Sequence, residues 1–248
     1  MAPPRGEGTI AHMPPLADTV RRNLESVESR IAGAATKAGR DPSDITLVGV
    51  AKYVDAAATA ALVEAGCSVI GESRPQQLWS KAEAPELAGK PIEWRLIGHL
   101  QRNKIDRTLP IAREIQSVDS ERLLRAIDAS AAKQGLTARV LLEANCSGDA
   151  EKHGFSSEEL KRLLPELPML KSVEVCGLMT MAAREGGPTV ARQNFAALRE
   201  LRDTLRAEAP PGLTLDELSM GMSGDFEEAI LEGATSVRVG SALWSRIE

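Results

Sequence analysis

The sequence predicts an α/β fold, a single parallel (β/α)8 barrel with an extra helix at its N-terminal end. Eight short, mostly apolar runs recur along about 200 residues, and amphipathic helical segments separate most of them. Turns rich in glycine and serine close the last two runs, where this architecture commonly places an anion site. An open doubly wound sheet is the competing arrangement of the same alternation.

The elements follow in order. Residues 1–15 are rich in Pro, Gly and Ala without a continuous apolar segment, so they read as a disordered lead and not as a secretory signal, with Met13 an alternative start. The barrel domain is expected over residues 16–248. Leu16 to Lys37 carries apolar residues at helical spacing (Leu16, Val20, Leu24, Val27, Ile31, Ala34) and stops at Gly39, so it is one long helix. Strands are predicted at Ile45 to Lys52, Ser68 to Ser73, Trp94 to Gly98, Glu114 to Val118, Arg139 to Asn145, Val173 to Thr180, Glu217 to Gly221 and Ser236 to Gly240. Helices are predicted at Ala56 to Glu64, Glu121 to Lys133, Ser157 to Leu164, Val190 to Ala207 and Asp225 to Leu231. Ala82 to Lys90 and Arg184 to Pro188, rich in Pro, Gly or charge, are expected to be floppy insertions.

Composition narrows the function. The chain has 248 residues, a formal charge of −5 and its basic residues interspersed with acidic ones, so a nucleic-acid stripe is not expected. Aromatic residues make up only 3%, too few for base-stacking platforms or an interfacial belt. No run approaches the roughly 18 apolar residues of a spanning helix. Cys67, Cys146 and Cys176 are odd in number, widely spaced and set in or beside apolar runs, which reads as free thiols of a reducing cytoplasm. Three scattered histidines, His12, His99 and His153, suggest no metal site.

Three strand ends carry the chemistry. Lys52 closes an apolar run, so its amine is expected to emerge from the barrel at the active-site rim, where desolvation favours the neutral nucleophile. The turns Ser219-Met-Gly-Met-Ser223 and Arg238-Val-Gly-Ser241 can bring backbone amides and hydroxyls to an anion. Alone, Ser223 reads as a cap and Gly240 as a tight turn; at adjacent strand ends they point to a phosphate. Asp225 is expected to cap the following helix together with Glu228. Arg238 shares strand parity with Gly240, points inward, and needs an electron-rich partner: Glu72, Glu143, or the pyridine nitrogen of a cofactor. A lysine and a phosphate cradle at one rim suggest a Schiff-base pocket for pyridoxal 5′-phosphate, with the arginine weakening the ring as an electron sink.

From Leu16 to Leu243 the chain resembles the pyridoxal phosphate homeostasis proteins (the YggS/PROSC family), whose barrel is similar to the N-terminal domain of alanine racemase, PLP fold type III. The resemblance rests on seven ordered pieces: Val-Gly-Val-Ala-Lys52; Gly71-Glu72; Ile97-Gly-His99-Leu-Gln101 with Asn103-Lys104; Asn145 with Lys152-His-Gly154-Phe; Gly177-Leu-Met179; Ser219 to Asp225; and Val237 to Ser241. It implies that Lys52 holds the cofactor as an internal aldimine. It implies also that Ser219, Met222, Ser223, Gly240 and Ser241 hold its phosphate, and that Arg238 sits near the ring nitrogen. The family's Asn after Gly-Glu is Ser73 here, whose hydroxyl would replace part of a ring contact, and Tyr53-Val54 stands where Thr and then Pro are common.

Racemases of this fold need two bases on opposite faces of the substrate, the second a tyrosine from an additional C-terminal domain. The sequence ends at Glu248, soon after the eighth strand, so that domain is expected to be absent and the protein to be a monomer. Tyr53 is expected to turn away from Lys52, leaving His99 as the candidate second base. The expected function is therefore binding, buffering and delivery of pyridoxal phosphate to apoenzymes in the cytoplasm without robust catalysis. A weak amino-acid racemase is the alternative, and a Schiff-base aldolase the more distant one.

Overall fold

A computed structural model describes residues 15–146, 153–183 and 185–247. The expected lead, apart from Pro15, lies outside these residues, as do His12, Met13, Lys152, Arg184 and Glu248. Eight parallel strands close into a barrel in simple sequential order: β1 (Thr46–Val50), β2 (Val69–Glu72), β3 (Glu93–Leu96), β4 (Glu114–Val118), β5 (Ala138–Glu143), β6 (Val173–Met179), β7 (Glu217–Ser219) and β8 (Ser236–Val239). Pairing of β1 with β8, Val48 opposite Arg238, closes the ring, so the open-sheet alternative is excluded.

Helices α1 (Leu16–Lys37), α2 (Ala56–Ala65), α3 (Pro75–Ala82), α4 (Ile105–Thr108), α5 (Glu121–Gln134), α6 (Ser157–Leu163), α7 (Gly187–Glu208) and α8 (Phe226–Leu231) cover the outside. Each of α2 to α8 follows one strand, from β1 to β7. The segment after β8 is a run of turns, and α1 takes the outer position beside it, packed against both α2 and α8. Its buried stripe of Val20, Leu24, Val27 and Ile31 holds it there, each such side chain contributing about 1.5–3 kcal/mol when fully buried. Polar ties add direction: Asn23 donates to the carbonyls of Leu243 and Ser245 at 2.9 Å each, and Arg30 pairs with Glu227 while lying 4.5 Å over the Phe226 ring.

One expected insertion is ordered chain instead, and Arg184 of the other lies outside the described residues. Ala82 to Lys90 contains a 3-10 turn, Pro85–Leu87, which buries Leu87 in the main core. Of the second segment, Gly187 and Pro188 open α7, where proline's missing N–H costs nothing. Most predicted strands run one or two residues too long at their C-terminal ends, because the chain leaves the ladder there to form the functional rim. The main apolar core lies between strands and helices. Leu141, Cys176 and Met179 form a separate small cluster, and the barrel interior is otherwise strongly polar.

Candidate ligand-binding site

The polar interior forms a chain of hydrogen bonds. Near the N-terminal ends of the strands, Arg95 and Arg139 meet Glu114, and Arg139 also pairs with Glu217. Glu114 accepts from Gln116 Nε2 at 2.8 Å, Gln116 Oε1 accepts from Ser219 Oγ at 2.8 Å, and Ser219 Oγ accepts from Arg238 Nη1 at 2.6 Å. Arg238 Nη2 donates to the Thr180 carbonyl at 2.9 Å. The guanidinium is thus aimed by neutral acceptors and buried, and burial pulls it down to about 10, opposed by the charges of Glu143 and Asp225.

Two expectations change at this point. Ser219 is fully buried with its hydroxyl engaged by Gln116 and Arg238, so it orients the arginine from within the barrel. Glu72 is not a barrel partner of Arg238: it faces outward to Lys81 of α3, while Gly71 takes the inward position against Val48 and Ile97. Glu143 is the barrel carboxylate whose charge acts on Arg238, beside that of Asp225 on the rim.

The turns after β7 and β8 converge on one atom. Ser223 Oγ accepts the N–H groups of Gly240, at 3.1 Å, and Ala242, at 3.3 Å. Two backbone donors at the barrel rim therefore point at a single oxygen, an arrangement that suits an anion equally well. Gly221 makes the first turn possible: its φ is +92°, and a Cβ there would come within 2.8 Å of the Phe226 Cα. Asp225 does not cap α8 as expected; its carboxylate reaches back to accept the Met222 N–H at 2.6 Å and so holds the turn in shape. Burial raises the Asp225 carboxyl above the usual range. Met222 and Ser241 are exposed on this rim.

Lys52 lies just beyond β1, half-buried, in a turn closed by the Val54 N–H to the Ala51 carbonyl at 3.2 Å. Its Nζ sits 4.8 Å from the centroid of the Tyr53 ring. Tyr53 therefore does not turn away, because strand alternation ends at Val50 and both residues occupy the centre of the turn. Ser73 begins the β2 turn, with its N–H on the Glu72 carboxylate at 3.1 Å. Gly98 lets this turn approach closely, since a Cβ at 98 would lie 2.4 Å from the Ser73 carbonyl oxygen. His99 is largely exposed, with Nδ1 3.2 Å from Asp119 and its ring stacked 6.0 Å from that of His153. Among the described residues no group of three or more side chains could hold a metal, and no helix is long and apolar enough to cross a membrane.

Sequence reasoning missed Gln116, Thr180, Lys81 and Trp244 as parts of the site. Parity alone would have placed Gln116 inward with Glu114, but not told which strand it faces.

Glu143 carries a pH signature. Burial is the largest cause of its raised pKa; Asp119 also raises it, while Arg238, His153 and His99 lower it. A carboxyl raised in the folded state contributes stability that is full below its unfolded value, about 4.3, and lost as pH rises through the folded value. Glu143→Gln is expected to gain in melting temperature over the parent as pH rises from about 4.3 toward neutrality. A difference independent of pH would show that Glu143 does not titrate there.

Comparison with known proteins agrees with this geometry. The alanine racemase N-terminal domain family matches residues 17–246. The pyridoxal phosphate homeostasis protein of Aquifex aeolicus is 39% identical over 221 residues, covering 89% of this chain and 95% of that protein. A crystal structure of an unknown protein from Bifidobacterium adolescentis, 39% identical, superposes with a TM-score of 0.85 and covers 92% of this chain and 95% of its own. PipY of Synechococcus elongatus, solved with PLP bound, is 32% identical with a TM-score of 0.81, covering 91% and 100%. By barrel, motif order and 39% identity over nearly the full length, the chain belongs to the alanine racemase N-terminal domain family, in the group of the pyridoxal phosphate homeostasis proteins.

Proposed function

We propose that this chain holds pyridoxal 5′-phosphate at the C-terminal rim of its barrel and serves intracellular homeostasis of that cofactor by binding, buffering and delivering it. The observation that carries the reading is the convergence of the Gly240 and Ala242 N–H groups on one oxygen at the rim where Lys52 emerges. The residues present fit the group. The two turns would hold its phosphate, Lys52 would hold its aldehyde carbon, and Arg238 would face its ring nitrogen. Met222, Ser241 and Ser73 are placed for contacts around it. When bound, the cofactor supplies an aldehyde that reacts reversibly with primary amines.

What the chain's own residues do favours holding over turnover. Arg238 is a permanent donor aimed by Ser219 and Thr180, and a donor of that kind keeps a ring nitrogen unprotonated. Tyr53 lies against Lys52 and not across the site from it, so it does not supply an opposing base. The ends of β1, β6 and β7 carry the exposed apolar residues Tyr53, Met181 and Met222, which suits contact with apoenzymes that receive the cofactor in the cytoplasm. We take the working species to be a monomer.

Weak amino-acid racemization is the second reading, because the His99–Asp119 pair stands at the same mouth. Loss of an α-deuterium label from an amino acid in the presence of the loaded protein would support it. The primary test is a visible absorbance titration with pyridoxal phosphate, followed by borohydride reduction and peptide mass mapping. A shifted band and a phosphopyridoxyl mass on Lys52 are expected. Neither band nor adduct would turn the site over to another phosphate ligand.

A further inference from the structure

We infer that Lys81 is the positioning residue for Lys52, an inference that rests on reading Lys52 as the cofactor's anchor. Lys81 comes from α3 and is buried to all but 8% of its surface. Its ammonium pairs with the fully buried Glu72 and donates to the Ala51 carbonyl at 2.5 Å. The same carbonyl accepts the Val54 N–H that closes the turn around Lys52 and Tyr53. One residue earlier, the Val50 carbonyl accepts the Trp244 indole N–H at 2.6 Å.

The peptide group is planar, so fixing the Ala51 carbonyl also fixes the Lys52 nitrogen and the point from which its Cα departs. Fixing the Val50 carbonyl does the same one plane earlier. Two successive peptide planes leading into Lys52 are thus held by side chains from elsewhere in the fold, an indole after β8 and an ammonium on α3. Glu72 directs the ammonium, and its other oxygen takes the Ser73 N–H, joining the β1 and β2 turns. A buried ion pair adds little net stability compared with an apolar pair of similar volume. What this pair provides is a directed, charge-assisted hydrogen bond to one backbone oxygen.

The test compares the parent with Lys81→Met, and with Lys81→Met/Glu72→Met, which removes both charges and leaves no carboxylate stranded in the core. Two quantities are read. The first is amide hydrogen exchange at Ala51 and Val54 in the cofactor-free protein, expected to be roughly tenfold faster in the folded double variant as the turn loosens. The second is the fraction of bound pyridoxal phosphate that borohydride fixes to Lys52, expected to fall roughly tenfold while total binding through the phosphate turns changes little. Unchanged exchange together with an unchanged covalent fraction overturns the inference. If the parent itself forms no Lys52 adduct, the reading of Lys52 as anchor fails, and exchange at Ala51 and Val54 still decides whether Lys81 holds the turn.

Discussion

Lys52→Ala is expected to remove every borohydride-stable adduct between this protein and pyridoxal phosphate, with a weaker, phosphate-anchored complex remaining. Two lysines lie close together here, and the amine of one is free to react. Lys81 lies close in the fold, but its ammonium is buried against Glu72 and the Ala51 carbonyl, and withdrawing it would leave both unpaired. Lys52 is half-buried, and its Nζ, among the described residues, meets the Tyr53 ring and forms no ion pair. Of these two lysines, Lys52 is the one whose amine can attack a carbonyl without breaking a buried ion pair. The variant should fold as the parent does, since the lysine lies beyond the ladder. Its complex should lack the shifted visible band, and mass mapping should find no modified peptide. A parent-like spectrum from Lys52→Ala would remove this residue from the chemistry.

The Lys52 region also shows which parts of the site the sequence makes legible. The apolar run before Lys52 was enough to bring it to the rim, and inward parity was enough to bury Arg238, because both arguments need only one strand. Strand parity ends where the chain leaves the ladder. Tyr53 was assigned to the opposite face by an alternation that holds only to Val50. Glu72 was offered as a barrel residue because parallel strands are buried on both faces and their apolar runs hide which side is inward. The eight-residue helix α3 went unread: proline at its first position follows a polar turn, and its buried face is Pro75, Leu78 and a lysine. The hydrogen-bond chain from Arg238 through Ser219 to Gln116 joins residues 103 and 19 positions apart. Such a chain depends on which strands face one another across the barrel, and one-dimensional spacing does not encode that. Strand order, by contrast, is one-dimensional, and it put both glycine turns at neighbouring strand ends, where β7 pairs with β8.

Ser223→Asp should weaken binding of pyridoxal phosphate by more than about tenfold, or ~1.4 kcal/mol. The Gly240 and Ala242 N–H groups already point at the oxygen of residue 223. A carboxylate placed there would accept both bonds more strongly than a hydroxyl does and would become an anion built into the cradle. An incoming phosphate would have to displace that carboxylate and also sit beside its charge. The same substitution should leave the fold intact, because the two donors keep an acceptor. Ser223→Ala is the informative companion: it removes the hydroxyl, leaves both donors facing the rim and should retain most of the affinity. Pyridoxal, which has the aldehyde and ring but no phosphate, separates the charge effect from a general distortion. Equilibrium dialysis should show a large penalty for Ser223→Asp with pyridoxal phosphate and almost none with pyridoxal. Equal penalties for both ligands would mean that the substitution deforms the turn, and equal affinity of variant and parent for pyridoxal phosphate would place the phosphate away from the β7 and β8 turns.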